Sequence, residues 1–459
     1  MQFQLRISGI HHQQLQDHLF PGDGLEAVAV ALCGLHISNE LTILTVHELL
    51  LIPYDQCERS ERYVYWRTEV IVPLLEKAAL NKFSFAKIHS HTTDYPRFSP
   101  VDNKSDYDLF PSIYGWFDSP QPHVSLVMLP KGELFGRVVS LENKFIPLNK
   151  ITLVGNQLKF WKHKTTAIVN KEVTLRNRQT LGKGTVNLLK QMKIAVVGAS
   201  GTGSPTVEQL ARLGVGHLVL IDPDKIERKN LNRILNSTLE HAKRGIYKVD
   251  VLAKIVKRMG FDTNISTFKV NLYNSREAIN ELISSDVIFG CVDSIDGRHL
   301  INQIATFYLI PYFDIGVKLE ADENGGINQI NGAVHYLQPG GSSLFSRGVY
   351  TMKGLEAAAL LRQNPNEYKR RLSEKYIVNL PVESPAVISF NMQVSSYGVN
   401  EFLDRIHSFK GTDAIERAAH FLAISEGMIF TESDGEPDTF LEKRVGRGDM
   451  TPFIEMPEL

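Results

Sequence analysis

Ile194-Ala195-Val196-Val197-Gly198-Ala199-Ser200-Gly201-Thr202-Gly203-Ser204 decides the fold of the second half of this chain. Four apolar residues bounded by glycine read as a short buried strand. The glycines allow a tight turn and a close approach of the backbone to phosphate oxygens. A helix follows, with Pro205 tolerated in its first turn and Val207, Leu210 and Leu213 on one face. The N-terminus of such a helix favours negative charge. Gly216–Asp222 then gives a second strand ending in an acid, placed to accept hydrogen bonds from a ribose.

Strand, glycine turn, helix, strand and acid, in that order, make a Rossmann-like nucleotide-binding unit. Ser200 stands where the dinucleotide fingerprint has its middle glycine, which counts against NAD. Downstream, Asp222-Pro223-Asp224 leads to Asn230-Leu231-Asn232-Arg233 and then to Gly245-Ile246-Tyr247-Lys248. Val287–Ser294 is another buried strand run that closes on an acid, Asp293. Taken singly, Arg233 and Lys248 read equally as surface charges, and Asp293 as the cap of a helix over Ile295–Leu300. It is their order on one nucleotide-binding frame that gives them chemistry.

This series resembles the ThiF/MoeB superfamily, the adenylating core of ubiquitin-activating enzymes, from about Leu175 to Phe409. The resemblance includes the late segment Pro385–Leu403, similar to the family's helix that returns to the core. It implies that Gly198, Gly201 and Gly203 line the phosphates of ATP and that Asp222 binds the ribose. It further implies that Asn230, Arg233 and Lys248 contact the phosphates and that Asp293 holds magnesium. Arg178, in Arg176-Asn177-Arg178-Gln179, matches the arginine with which family members reach into a neighbouring subunit's ATP site, and so implies a homodimer. The chemistry suits these residue types. A carboxylate that attacks the α-phosphate must overcome the repulsion of two anions, which Arg233, Lys248, Arg178 and magnesium offset.

The sequence also departs from that family. Relatives that conjugate carry a catalytic cysteine and often two Cys-x-x-Cys pairs. Here the cysteines are Cys33, Cys57 and Cys291, and no two are so spaced. Ser343 and Ser346, in Pro339–Gly348, stand where many relatives have cysteines, and Cys291 reads as a small buried hydrophobe. The expected course ends at the acyl-adenylate, passes it directly to a partner, or uses a serine, with Ser343 the first candidate.

Upstream, a second chemistry is written in His89-Ser90-His91, seven residues, then Ser99-x-x-Asp102. On an extended strand, residues two apart point the same way, so both imidazoles face one side. A carboxylate a short loop later completes three ligands, and three ligands with one open position is the pattern of a catalytic zinc, which brings the pKa of bound water to about 7. Phe83–Ala86 and Ile88 supply the strand, and Pro96, Ser99 and Pro100 mark the loop. The pattern resembles the JAB/JAMM (MPN-domain) metalloproteases, which include deubiquitinases. It implies that His89, His91 and Asp102 hold zinc, that Ser99 hydrogen-bonds the oxyanion or the water, and that an upstream glutamate is the general base. Glu26, at the edge of the apolar run Ala27–Cys33, is the best match, ahead of Glu40 and Glu48.

At 459 residues the chain is too long for one ordinary core. The expected class is α/β. An N-terminal MPN-type α+β/β domain (1–160) precedes a basic linker and the start of the adenylation domain (161–190), the Rossmann-like ThiF/MoeB adenylation domain (191–410) and a C-terminal extension (411–459). Helices are expected over Glu69–Leu80, Glu356–Gln363, Val387–Ile406 and Asp413–Ile424, with Leu360, Leu361 and Leu403 in the core. The basic residues from Lys162 through Lys164, Lys171, Arg176, Lys183 and Lys190 read as a solvated stretch, and the tail to Leu459 as strand-like or irregular. A formal net charge of −1 gives no field for nucleic acid. No apolar run suits a bilayer, and three unpaired cysteines fit a reducing cytoplasm.

The two halves make one reading: a bacterial-type enzyme that processes and activates a ubiquitin-like β-grasp protein, with a conjugating-enzyme-like protein as a further partner. A hydrolase frees a C-terminal carboxylate, and an adenylating site consumes it. The alternatives are adenylation of another carboxylate, such as a peptide or a modified tRNA base, and a scaffold that binds ubiquitin-like proteins without turnover.

Overall fold

The computed structural model describes the whole chain except residues 39, 119, 163–169, 171, 323–325, 375–376, 378–385 and 457–459. Lys164, Lys171, Pro385 and the last three residues of the tail thus lie outside the described residues. Two compact units emerge. One takes Met1–Thr165 with Thr306–Leu309 and Lys443–Met456; the other takes Thr166–Ala305 with Ile310–Glu442 and Pro457–Leu459.

In the first unit the chain runs β1 (Gln2–Ser8), α1 (Gly9–Leu19), β2 (Val28–Ile37), β3 (Leu41–Leu51), a small hairpin of β4 (Cys57–Arg59) and β5 (Val64–Trp66), then α2 (Val72–Asn81). It continues through β6 (Ser84–Ser90), α3 (Pro100–Tyr114), β7 (His123–Met128), β8 (Leu134–Val139), β9 (Phe145–Pro147), β10 (Lys150–Val154) and β11 (Leu158–Lys162). Nine strands form one mixed sheet in the order β11-β10-β1-β3-β2-β6-β7-β8-β9. Alternation along β2 feeds two cores. Ala29, Ala31 and Cys33 pack with Leu15 of α1, and Val28, Val30 and Leu32 pack with Leu75 of α2 and Phe110 of α3. With both faces covered, every residue of β6 is buried. The helix expected over Glu69–Leu80 starts at Val72, because Pro73 sits in its first turn and a 3-10 turn (Thr68–Ile71) precedes it.

In the second unit the chain runs α4 (Leu175–Lys190), β12 (Lys193–Val197), α5 (Gly203–Arg212), β13 (His217–Ile221), α6 (Leu239–Arg244), α7 (Lys248–Arg258), β14 (Asn264–Phe268), α8 (Arg276–Ile283), β15 (Val287–Gly290) and α9 (Ile295–Phe307). Then come β16 (Tyr312–Ala321), β17 (Ile327–Leu337), α10 (Met352–Gln363), α11 (Pro365–Ser373), α12 (Ile388–His407), β18 (Ala419–Ala423) and β19 (Met428–Glu432). The sheet order is β14-β13-β12-β15-β16-β17-β18-β19. The strands from β14 to β16 are parallel and the last three pair antiparallel. Taken along the chain, the parallel part reads 3-2-1-4-5, so its order reverses between β12 and β15, where α/β sheets open a ligand crevice.

Three expectations are corrected. Within 161–190 the basic stretch from Leu175 onward is not solvated throughout but forms α4, whose Thr185, Val186 and Leu189 are buried, with Lys183 exposed and Lys190 half-buried against the Phe261 and Asp262 carbonyls. Asp413–Ile424 is not a helix. After a short 3-10 turn (Ala414–Glu416) it becomes β18, because Ala419–Ala423 meets an open edge of β17 and pairs His420 with Val334. The extension 411–459 is not one piece, and the strand-like part of its tail is β19 (Met428–Glu432). Residues to Glu442 belong to the second unit, and Lys443–Met456 lies across β2 and β3 of the first. There Thr45 Oγ1 donates to Gly446 O at 2.9 Å, and the Asp449 amide donates to Leu35 O at 2.7 Å. Leu403 is buried as expected, whereas Leu360 and Leu361 are half-buried.

Candidate functional site

The glycine turn lies at the C-terminal end of β12. Gly198 has φ +92°, open to glycine at little cost, and a Cβ there would run into the Cys291 carbonyl. A Cβ at Gly203 would overlap the Gly198 carbonyl, so Gly203 serves the close packing of α5 on the turn. Gly198 and Gly201 line a cleft of about 710 Å³, together with Asp222, Asn230, Arg233, Lys248 and Asp293. Gly203 is not on its wall. Seven of the eight residues assigned to ATP and magnesium thus converge at the crevice, brought there by β12, β13, α7 and the loop after β15.

Asp222 is buried and fixed. Its Oδ2 accepts the Ala199 amide at 2.7 Å, and its Oδ1 accepts the Asp224 amide at 2.8 Å. Burial pushes its carboxyl up, against the pull of Lys248. Lys248 opens α7 and donates to Asp224 Oδ2 at 2.7 Å, with Asp222 Oδ1 3.5 Å away. Asn230 Oδ1 accepts the Glu227 amide at 2.9 Å, which ties the loop after β13. Arg233 donates to Lys229 O at 2.9 Å and to Asn232 Oδ1 at 3.1 Å. Asp293 is exposed on the cleft wall.

Arg178 lies half-buried on α4 and does not line the cleft. Neither do Ser343 and Ser346. Ser343 is buried, and its hydroxyl donates to Asp438, so the structure does not offer it as a nucleophile to the cleft. Cys33 and Cys291 are buried and burial pushes both thiols up to about 12, while burial also raises half-buried Cys57. Among the wall residues that the sequence did not single out are Asn391 and Arg298. Asn391 comes from α12, and a Cβ on Gly201 would meet its Nδ2 at 2.5 Å. Arg298 lies five residues beyond Asp293 in α9, and its Nε donates to Val292 O at 3.1 Å. Asn391 had no local signal, because it reaches the turn from 190 residues downstream.

In the first unit, β6 and α3 bring His89, His91 and Asp102 together. One ligand atom of each lies within 4.8 Å of the others, and all three residues are buried. His89 Nε2 is 3.0 Å from Asp102 Oδ1, and His91 Nε2 is 3.2 Å from Asp102 Oδ2. The first of these approaches lacks hydrogen-bond alignment, so both ring nitrogens of His89 are buried without a hydrogen-bond partner. His91 Nδ1 lies 3.0 Å from the Tyr95 carbonyl, which can only accept, so Nδ1 carries a proton and Nε2 is the nitrogen left to face Asp102 or an ion. Two imidazole nitrogens and a carboxylate oxygen converging so are a donor set that fits zinc. Burial lowers the His89 pKa; at His91, Asp102 outweighs burial and raises it, and both histidines hold the Asp102 carboxyl far below the ordinary range.

Glu26 lies two residues before the start of β2. Val28 pairs with His89, and the Ser90 amide donates to Ala27 O, so continuing the antiparallel register sets Glu26 opposite His91 on the same face. It is 5% exposed, and burial, opposed by His91, pushes its carboxyl up to about 7. Such a carboxyl gives and takes protons at neutral pH. Glu40 and Glu48 lie elsewhere, Glu48 in β3 and paired with Lys77. Ser99 proves to be the N-cap of α3. Its Oγ accepts the Asp102 amide at 3.1 Å and its own amide donates to Asp102 Oδ2 at 2.6 Å, a capping box that holds the third ligand.

A family model described as the ThiF family matches residues 174–416, more than half of the chain. In sequence, the ubiquitin-like modifier-activating enzyme 5 of Culex quinquefasciatus is 31% identical over 169 residues, which are 34% of this chain and 40% of that protein. The Bombyx mori protein of the same description is 30% identical over 176 residues, 36% of this chain and 42% of that one. The chain thus spans well under half the length of these curated relatives. Among solved structures, E. coli MccB with ATP is 16% identical, with 59% of this chain and 74% of that one covered, at a TM-score of 0.44.

Proposed function

The chain belongs to the ThiF family, and on that premise we propose that its second unit binds ATP with magnesium and adenylates a carboxylate. One observation carries this: the glycine turn, Asp222, Asn230, Arg233, Lys248 and Asp293 share one cleft at the reversal of strand order. ATP is a substrate of the reaction. The amides of the turn and the start of α5 receive its phosphates, and Asp222 its ribose. Asp293 holds magnesium. Arg233 and Lys248 offset the repulsion between the incoming carboxylate and the α-phosphate, so that the new carboxyl–phosphate bond forms as pyrophosphate leaves.

The substrate is the C-terminal carboxylate of a ubiquitin-like β-grasp protein, a reading supported by the description of the curated relatives. Arg178 reaches the cleft of a second copy, which makes the enzyme a homodimer. With two of the three thiols buried and raised to about 12, the adenylate passes directly to its acceptor, offered by a conjugating-enzyme-like partner. That same lack of a ready thiolate favours a second reading, in which the carboxylate belongs to a short peptide or a modified base. ATP–pyrophosphate exchange separates them. Exchange that requires a β-grasp protein and is lost in Arg233→Ala supports the first; exchange driven by a peptide alone supports the second; none with any carboxylate overturns both.

The first unit, in this proposal, is the MPN-type (JAMM) zinc protease that frees the carboxylate. Bound zinc would supply Lewis acidity and acidify a water. The chain's own part is to hold the ion through His89, His91 and Asp102, to accept the proton at Glu26 and to return it to the leaving amine. Ser99 donates to the oxyanion. Zinc is expected at one equivalent, absent in His89→Ala, and cleavage of a C-terminally extended β-grasp precursor is expected to vanish in Glu26→Gln with zinc retained. Cleavage that survives both substitutions would defeat this half.

A further inference from the structure

Asp106 is fully buried on α3, one helical turn after Asp102, and accepts hydrogen bonds from three neighbouring strands at once. Lys87 Nζ on β6 donates to Oδ1 at 2.6 Å, and Ser125 Oγ on β7 donates to the same oxygen at 3.1 Å. Arg137 on β8 donates to Oδ2 from Nη2 at 2.6 Å and from Nε at 3.1 Å. The sheet register makes the three donors a row, with Lys87 opposite Ser125 and Ser125 opposite Arg137. Lys87 and Arg137 are themselves 4% and 6% exposed, so three charges are taken out of water together. Apolar residues of equal volume would avoid that desolvation, so stability alone does not account for them.

Position does. Along a helix, four residues cover about 6 Å, and along a strand, two residues cover about 6.6 Å. α3 runs antiparallel to β6, since the later helix residue meets the earlier strand residue. Seating Asp106 on Lys87 therefore carries Asp102 to His89, where its oxygen lies 3.0 Å from Nε2. A slip of one residue would turn Asp102 by about 100° and lose the third ligand. Arg137 extends the hold to the loop before α3. Its guanidinium lies 3.7 Å from the ring centroid of Phe98, next to Ser99, and donates to Asn103 Oδ1 at 2.5 Å.

We propose that Lys87, Ser125, Arg137 and Asp106 form a docking key that sets the register of α3 on the sheet and so positions Asp102, with His89 and His91, to bind a metal ion. The proposal rests on the zinc reading above, and its four members are positioning residues. The test is zinc affinity of the full chain by chelator competition, with the visible absorption of the Co²⁺ form as a readout of ligand geometry. Lys87→Met/Asp106→Leu/Arg137→Met removes the charges at similar volume. It is expected to keep the parent's circular dichroism, to bind zinc about 10–100-fold more weakly, and to shift the Co²⁺ bands. Parental affinity and spectrum would overturn the key. If the triple variant does not fold, Lys87→Met alone leaves Asp106 charge-balanced by Arg137, and is expected to weaken zinc in the same direction with Lys87→Arg restoring part of it. An unchanged affinity in Lys87→Met would again overturn it. A parent chain that binds no more zinc than His89→Ala removes the metal reading, and the key with it. Zinc bound through His89 but indifferent to the row removes the key alone.

Discussion

Gly201 and Gly203 sit two residues apart in one turn, yet a methyl group at each meets different matter. At Gly203 it overlaps the Gly198 carbonyl, which is backbone and cannot swing away. At Gly201 it meets the end of the Asn391 side chain, which can turn aside. Overpacking costs ~1–3 kcal/mol where neighbours adjust, and more where they are backbone. Gly203→Ala is therefore expected to lower stability by about 3 kcal/mol or to prevent folding, read by urea denaturation. Gly201→Ala should leave the denaturation midpoint near the parent's and weaken ATP in a binding titration. Equal midpoints for the two would refute this division of labour. The sequence carried the glycine pattern but not the division, because a fingerprint records which residues occur and not which atoms they face. Asn391 was illegible for a like reason.

Ser99-x-x-Asp102 illustrates how one spacing serves an element and a site together. Three residues separate a helix cap from the amide it accepts, and here the same interval separates the cap from a metal ligand. Removing such a cap costs ~1 kcal/mol. Ser99→Ala is expected to lower stability by about that amount, in thermal denaturation, while the Ser99 amide still holds Asp102 Oδ2. If the hydroxyl also serves the oxyanion, precursor cleavage should fall well beyond what that loss explains, by ~10²-fold or more. A fall in stability with unchanged cleavage would leave Ser99 a cap only. Elsewhere the periodicity of elements was legible where it was local: the strand at Ile194–Val197 stands as read, and the run expected over Val287–Ser294 is a strand as far as Gly290. It failed at Ala419–Ala423, whose neighbours suit a helix, because the edge of β17, some ninety residues earlier, decides the matter. Tertiary pairing outweighs local propensity in so short a run.

For the molecule, the order of the two units was legible and their edges were not. Composition cannot show that Lys443–Met456 returns to the first unit, since that choice is made by β2 and β3, about 400 residues upstream. Among the described residues, no helix is long and apolar enough to cross a membrane. In the second unit α12, β18 and the segment between them are joined around one carboxylate. Glu401 is fully buried; its Oε1 accepts from Arg405 at 2.7 Å, and its Oε2 lies 2.7 Å from His420 Nε2 and 2.5 Å from Lys410 Nζ. Burial alone would raise its carboxyl, but His420, Arg405 and Lys410 outweigh that and hold it at about 2, against an ordinary 4.5. Below the ordinary value the unfolded chain takes up a proton that the folded chain refuses, so stability falls with pH. The contribution is complete above pH ~4.5 and is lost as pH drops toward ~2, and its size is on the order of 3 kcal/mol. Urea denaturation of the full chain between pH 6 and pH 3 is expected to show this fall in the second unit, followed by near-ultraviolet circular dichroism of its tyrosines. Glu401→Gln should be less stable at pH 7, because Arg405, Lys410, Arg417 and His420 lose their anion, and its stability should fall less steeply below pH 4.5. A variant with the parent's full acid dependence would show that other carboxylates carry it and that the Glu401 cluster does not.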